Sequence, residues 1–455
     1  MSAATRSVTA SVTGWGRTAP TTARLIRPRT YEEAAAAVRG GGTRGSIPRG
    51  LGRAHGDAAQ NAGGAVLDMT GLDRIHVIDA ANGIVLCDAG VSLHRLTRVL
   101  LPLGWFLPVT PGTRYVTVGG AVATDVHGGN HHVSGSFSRH VLSLELLTAD
   151  GEVRTVGRGT PLFDATTGGL GLTGAVLTAT VQLQPVETSL MLVDTERAHD
   201  LDDLLDRLSA GEPRHRYAVA WIDLLARGAQ TGRAVLTRGD HAPLEALGAG
   251  TRARREPLAF RPGRLPAPPA LLPEGLLSRR TVGWFNELRY RAAPEARTGR
   301  LRRLSAFLHP LDALPHWNRL YGRGGFVQYQ FTVGYGQEEA LRRIVRRLAE
   351  RRCPSLLAAL RRFGDADPGW LSFPVPGWTL ALDLPAGLAG LSAFLDELDE
   401  EVAAAGGRVH LAKDSRLRPE LLAAMYPRLG EFRNLRAELD PRGTFVSDLS
   451  RRLAL

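Results

Sequence analysis

A single lysine, Lys413, stands among 56 basic residues, and every other one is arginine. A guanidinium stays charged at any working pH, whereas an amine is compact and can give up its proton. The lone lysine therefore marks a position that arginine will not serve. A surface pair with the adjacent Asp414 is the structural alternative. Gln328 and Gln330 flank Tyr329, and on a strand both amides point to one side and the ring to the other. Buried there, such amides would satisfy a sheet edge that needs partners. His127, His131 and His132 cluster, with Asp125 the carboxylate at hand. Their spacing is no zinc pattern and no cysteine completes a ligand set, so no metal site is expected. The imidazoles then serve as donors to a ligand or as braces for their own loop.

Those histidines end a stretch, Pro111 to His132, in which Gly112, Gly119, Gly120, Gly128 and Gly129 surround one short apolar run. Glycine is favoured where backbone approaches something closely or takes positive φ. A second such stretch, Arg49 to Asn61, follows the strand-like Gly45 to Pro48, and its consecutive N–H groups can form an anion-binding nest. A third runs from Thr167 to Gly174. No G-x-x-x-x-G-K-S/T motif occurs, and Gly50-Leu51-Gly52 lacks the third glycine of a dinucleotide fingerprint. Two of these loops can hold the two ends of one large cofactor.

The chain has 455 residues, more than one core usually serves, so two domains are expected. With 44% apolar and 22% charged residues it reads as globular. Its net charge of +11 comes from scattered arginines, without an RNP, zinc-finger or helix-turn-helix signature, so nucleic-acid binding is not expected. Two cysteines, Cys87 and Cys353, cannot make a disulfide framework. Met1 to Pro20 lacks an apolar signal core, and no run is long enough to span a bilayer. A cytoplasmic protein is the expectation, with at most a peripheral membrane contact. The pairs Arg342-Arg343, Arg346-Arg347 and Arg351-Arg352 fall at helical spacing and read as a solvated face.

Periodicity predicts helices over Tyr31–Arg39, Ser92–Leu101, Leu201–Leu208, Glu338–Arg351 and Leu391–Ala405. It predicts strands over 65–68, 74–78, 83–87, 141–147, 174–183, 217–224, 325–333 and 378–384, with an Asn82-Gly83 hairpin turn. Residues 251–280, rich in arginine and proline, read as an irregular loop. The glycine motifs stop at Pro185, which separates an α+β domain from one built on an antiparallel sheet.

The order of the glycine motifs, together with Gly14-Trp15-Gly16-Arg17, Ser134 to Phe137, Leu147 to Glu152, Ser372 to Trp378, Ala412 to Arg416 and Asp448 to Arg452, resembles the vanillyl-alcohol-oxidase and p-cresol-methylhydroxylase superfamily of flavoenzymes. Within it, the resemblance is to an actinobacterial branch that oxidises polyprenyl-phosphate-linked ribose at C2′. It implies a two-domain α+β fold: an FAD-binding domain at 1–187, a substrate domain at 188–408, and a segment at 409–455 that returns to the first. It implies FAD held by Arg53, Ala54, His55, Gly56, Asp57 and Asn61; by Pro111, Gly112, Thr113, Val116, Gly119, Gly120, Ala123 and Thr124; and by His127, Gly128, Asn130, His131, Gly174 and Val176. Lys413, His127 and Gln330 become the catalytic set, and Gln328, Gln330, Tyr329, Arg361, Thr379, Ala381 and Lys413 the substrate contacts.

Relatives that bind FAD covalently do so through a histidine where this chain has Arg53, so the resemblance implies dissociable FAD. A short-chain NAD(P)H-dependent reductase would finish an epimerisation to the arabinose donor of the cell wall. Departures fall on the substrate side: His55 and His410 replace tyrosines, Thr379 an asparagine, Ala381 a cysteine and Arg361 a lysine. They leave open a paralogue acting on a soluble nucleoside or sugar. A flavin-free binding subunit is the alternative of another class.

Overall fold

The computed structural model describes residues 7–210, 215–269 and 275–455. The chain begins with a four-stranded sheet in the order Ser7–Val12, Thr21–Ile26, Ala65–Asp68, Ser46–Arg49. Its last two pairings are parallel, which requires a crossover, and the helix Tyr31–Arg39 supplies it. Thr30 caps that helix by accepting from the Glu33 N–H, and Ala34, Ala37 and Val38 turn inward. A five-stranded antiparallel sheet follows, ordered Ile75–Asp79, Ile84–Asp88, Ala175–Gln182, Val141–Leu147, Val153–Gly157. Leu93, Leu96 and Leu100 of the Ser92-capped helix Leu93–Leu100 lie in its core.

The eight-stranded sheet runs Ala296–Arg303, Leu190–Ala198, Ala234–His241, Tyr217–Ile222, Ala358–Phe363, Gly377–Pro385, Phe326–Gly334, Arg408–Val409. Helices Leu201–Ser209, Glu338–Glu350 and Leu391–Ala404 cover one of its faces, burying Tyr329, Phe331, Val333, Leu360, Leu380 and Leu382. Each fully buried leucine or phenylalanine there contributes about 1.5–3 kcal/mol. Alternation puts Gln328, Gln330, Thr379, Ala381, Asp383 and Arg361 on the opposite face. That face meets the glycine loops of the first domain: the Ala218 N–H donates to the Gly129 carbonyl at 2.9 Å. The C-terminal segment goes back to the first sheet, where Val446 donates to the Ser46 carbonyl and Asp448 to that of Gln60. The molecule is a two-domain α+β protein whose site residues gather where this face and the glycine loops meet.

The structure differs from the periodicity reading in places. The Asn82-Gly83 turn is a four-residue loop, Ala80 to Gly83, because Asp79 accepts from the N–H groups of Ala81 and Asn82 and widens it. The stretch 251–280 is not wholly irregular: a short helix, Arg252–Arg255, lies in it and the helix Arg279–Ala292 starts at its end, while 270–274 lie outside the described residues. Among the described residues no helix is long and apolar enough to cross a membrane.

Candidate active site

Lys413 sits in a turn just after Arg408–Val409. The His410 N–H donates to the Gln330 carbonyl at 2.9 Å, and the His410 carbonyl accepts from Lys413 and Asp414. The turn is thereby registered against the glutamine strand. The Lys413 amine Nζ lies 3.1 Å from Nδ1 of His55. It does not pair with Asp414, whose carboxylate accepts from the Arg416 and Leu417 N–H groups and meets Arg452 at 2.8 Å. Desolvation pushes the amine down to about 8; the Asp383 carboxylate opposes this and the Arg361 charge adds to it. At neutral pH Lys413 therefore keeps a usable fraction of free amine.

Around it stand neutral donors and one buried acid. Gln330 donates to Nε2 of His127 at 3.0 Å, which leaves the His127 Nδ1–H buried with no protein partner. Burial, with His410 and His131 nearby, holds His127 well below the ordinary imidazole range, so it is a neutral donor. His55 is likewise kept neutral by burial and by Lys413, and its Nε2 also lacks a partner. Gln328 donates to Oδ1 of Asp383 at 2.6 Å, while Oδ2 is orphaned. Burial lifts that carboxyl to about 7, against the Gln328 bond and the Lys413 charge. Arg361 has no carboxylate partner among the described residues; burial lowers it to about 10, and its Nε is orphaned. Buried polar groups are nearly always paired, so these unpartnered atoms are free to take a ligand's polar groups.

The first-domain loops close the other side. The Trp15 N–H donates to the Ala54 carbonyl, that of Gly16 to the His55 carbonyl, and that of His55 to the Ala412 carbonyl at 2.9 Å. A Cβ on Gly56 would stand 1.7 Å from the Asp414 oxygen, so only glycine lets this loop run against the lysine turn. Among the described residues the N–H groups of Gly52, Arg53 and Ala54 have no protein acceptor, and Arg53 stacks over Trp15 at 3.8 Å. Across from them Gly112 faces open space, while Thr113 and Arg114 are held by Asp312. Thr117 caps the helix Val118–Ala123, and the third glycine motif clasps it, Leu170 donating to the Ala123 carbonyl. Free N–H groups, a stacked guanidinium and an open glycine fit a flat, pyrophosphate-bearing group such as FAD.

Several expected ligands are instead occupied by the protein. Asp57 bonds Arg452 at 2.9 and 3.0 Å, and Asn61 donates to the Gly45 carbonyl. His131 has both ring nitrogens engaged, Nε2 by Asp367 at 2.8 Å and Nδ1 by the Gly364 N–H. Asn130 donates to the Pro108 carbonyl, and a Cβ on Gly128 would collide with Asn130 and the Thr110 carbonyl. Val116 and Val176 are core, Gly119 packs on Ala89, the Gly120 N–H is taken by the Thr117 cap, and Thr124 donates to the Gly120 carbonyl. Gly174 packs against Leu147 beside Val176, and Pro111 precedes the open Gly112. Tyr329 is corrected outright: its ring lies on the helix side of the sheet, away from Gln328 and Gln330.

Thr379 accepts weakly from Gln330 and donates to the Phe331 carbonyl; Ala381 pairs with Gln330 across the strands; His410 stacks on Phe373 at 4.6 Å. Asp383 was not anticipated. Its signal was present, an acid two residues beyond Ala381 in an apolar strand, hence on the glutamine face. Among the described residues no group of three His, Cys, Asp or Glu is arranged to hold a metal ion.

Comparison with known proteins agrees with this geometry. The FAD binding domain family matches residues 22–157, and the D-arabinono-1,4-lactone oxidase family matches residues 386–453, the segment that carries Lys413. The chain is thus an FAD-dependent oxidoreductase. It is 44% identical over 449 residues, 97% of each chain, to a decaprenylphosphoryl-β-D-ribose oxidase of Mycolicibacterium smegmatis, and it belongs to that family. An uncharacterized protein in the mprA 5′ region of Streptomyces coelicolor is 60% identical over 375 residues, 80% of this chain and all of that one. An L-gulono-1,4-lactone dehydrogenase of Mycobacterium tuberculosis is 25% identical over 442 residues, 94% of this chain and 95% of its own.

Proposed function

We propose that this protein oxidises the C2′ hydroxyl of a polyprenylphosphoryl-β-D-ribose to the 2-keto sugar, the first half of an epimerisation to arabinose. The observation that carries the reading is Lys413, half-buried, lowered to about 8, beside His55 and within reach of the Asp383 charge on the glutamine side of the sheet. FAD, when bound, supplies the hydride acceptor. Lys413 takes the hydroxyl proton as the amine, and it stabilises negative charge on the sugar oxygen as the ammonium. His127 Nδ1–H and the Gln328 and Gln330 amides orient the ring hydroxyls. Arg361, a half-buried cation with no carboxylate partner among the described residues, suits the phosphate of the substrate.

FAD is held without a covalent bond, Arg53 offering no nucleophile. The domain limits 1–187, 188–408 and 409–455 are supported by the sheet boundaries and the returning tail. The product would pass to a short-chain NAD(P)H-dependent reductase, and the site of action would be the cytoplasmic face of the membrane. A soluble riboside is the second reading, favoured by the small side chains at Thr379 and Ala381. Incubation with a polyprenylphosphoryl riboside and with ribose 1-phosphate, followed by mass spectrometry, separates them. Loss of two hydrogens from the lipid-linked sugar is expected; turnover of the soluble one alone would overturn the lipid assignment.

A further inference from the structure

The helix Arg279–Ala292 faces two ways. Val282, Asn286 and Tyr290 form its buried stripe, held by Asn286 donating to Asp223 at 2.7 Å and Tyr290 packing with Trp221 and Val235. The opposite stripe carries Trp284, Phe285 and Leu288, which are 74%, 38% and 56% exposed. Spacing i, i+1, i+4 puts all three on one side of the helix. Single exposed apolar side chains need no explanation, but a contiguous row led by tryptophan marks an interaction surface.

Charge decides the partner. Between 275 and 303 there are eight arginines against two carboxylates. Both carboxylates are already paired, Glu287 with Arg233 and Arg291, and Glu295 with Arg197. Arg280 and Arg291 bracket the apolar row, and the next element, Ala296–Arg303, is an exposed edge strand that carries Arg297, Arg300 and Arg303. Aromatic and leucine side chains rimmed by arginine are the composition of an interfacial helix on anionic lipid.

The residue just before this helix's cap reaches the active-site wall. Leu277, one residue before the Ser278 cap, packs against Trp317, Tyr321 and Phe326, and the Phe326 ring stands edge-on to His55 at 5.5 Å. We propose that this face docks on an anionic bilayer, Trp284, Phe285 and Leu288 entering the headgroup boundary while the arginines hold lipid phosphates. Docking there brings the Lys413 site to a lipid-linked sugar, which rests on the substrate reading above; the apolar row and its charge stand without it.

The test uses the full-length protein with bound FAD and sedimentation with vesicles of mixed phosphatidylglycerol and phosphatidylcholine, or of phosphatidylcholine alone. Binding is expected to the mixed vesicles only and to weaken with salt. The triple variant Trp284→Ser, Phe285→Ser, Leu288→Ser should need at least about tenfold more lipid for half-binding. Arg280→Gln with Arg300→Gln should lose the preference for anionic lipid. Circular dichroism and the flavin spectrum of both variants should match the parent. Absence of vesicle binding, or binding undiminished in the triple variant, overturns the proposal. So does a dimer that the triple variant dissolves without any vesicle binding, which would assign the face to a second copy. Vesicle binding without riboside oxidation would leave the face standing and remove the substrate reading; the converse would remove the face alone.

Discussion

If Lys413 removes the sugar proton as the free amine, the rate of flavin reduction by substrate must follow its ionisation. With the amine near 8, roughly one-tenth is unprotonated at pH 7 and about nine-tenths at pH 9. The sign is fixed: the ammonium is the inactive form, so the rate rises about tenfold per pH unit below 8 and levels above it. Lys413→Met keeps the length and removes the base. Flavin reduction at pH 9 should fall by about two to four orders of magnitude, with a correspondingly smaller deficit at pH 7. The inflection near 8 should vanish. Lys413→Arg should not restore the rate, since guanidinium does not deprotonate in this range.

Folding gives an independent readout of the same group. A lysine lowered from 10.5 to about 8 binds fewer protons folded than unfolded between those values, so its contribution to stability is unfavourable at pH 7 and recovers as pH rises through that window. The methionine variant should therefore be more stable than the parent at pH 7, by about 1–3 kcal/mol in denaturant titration, with the advantage shrinking toward pH 10. Anaerobic stopped-flow bleaching of the flavin measures the first effect. A methionine variant that reduces flavin at the parent rate, or that keeps the inflection, would refute the assignment of Lys413 as the base.

Three further outcomes follow from the same geometry. Acid precipitation should release all the yellow colour, because Arg53 cannot bond carbon; flavin retained in the pellet on a His55 peptide would contradict this. Ala381→Cys should create one thiol open to methyl methanethiosulfonate and protected by substrate, whereas the parent should stay unlabelled, since buried Cys87 and Cys353 have thiols pushed up to about 12 and about 11; labelling of the parent in intact-mass spectra would be the adverse result. Gly56→Ala puts a methyl into the Asp414 carbonyl and should cost about 1–3 kcal/mol or more, with weakened FAD retention, both read by thermal melts with and without added FAD.

How much of this was readable beforehand depends on the range of the interaction that fixes each residue. The alternation of Gln328, Tyr329 and Gln330 is a property of one strand with period two, so the amide face followed from three letters. Lys413 announced itself by composition. His131 is different: its partner is Asp367, 236 residues away, and nothing local distinguishes it from His127, whose Nδ1 remains free. Asp57 shows the same range, its side chain bonding Arg452, 395 residues away. The helix Arg279–Ala292 escaped because its outer stripe is apolar where a surface helix is polar, so the period that reveals most helices was blurred.

That failure is informative about the site as well. A strand or helix departs from its expected pattern where something outside the fold must be satisfied. Asp383 is an acid at an inward position of Gly377–Pro385, and there its charge acts on Lys413 without a direct contact. Its carboxylate raises the amine while burial lowers it, so the value near 8 is a balance between the two. Asp383→Asn should tip that balance: the rate inflection moves below 8 by about one unit, and activity at pH 7 rises or holds while charge stabilisation at the sugar oxygen weakens. An inflection that stays at 8 in this variant would mean that the carboxylate does not reach the amine, and that Gln328 alone accounts for the presence of Asp383 in the strand.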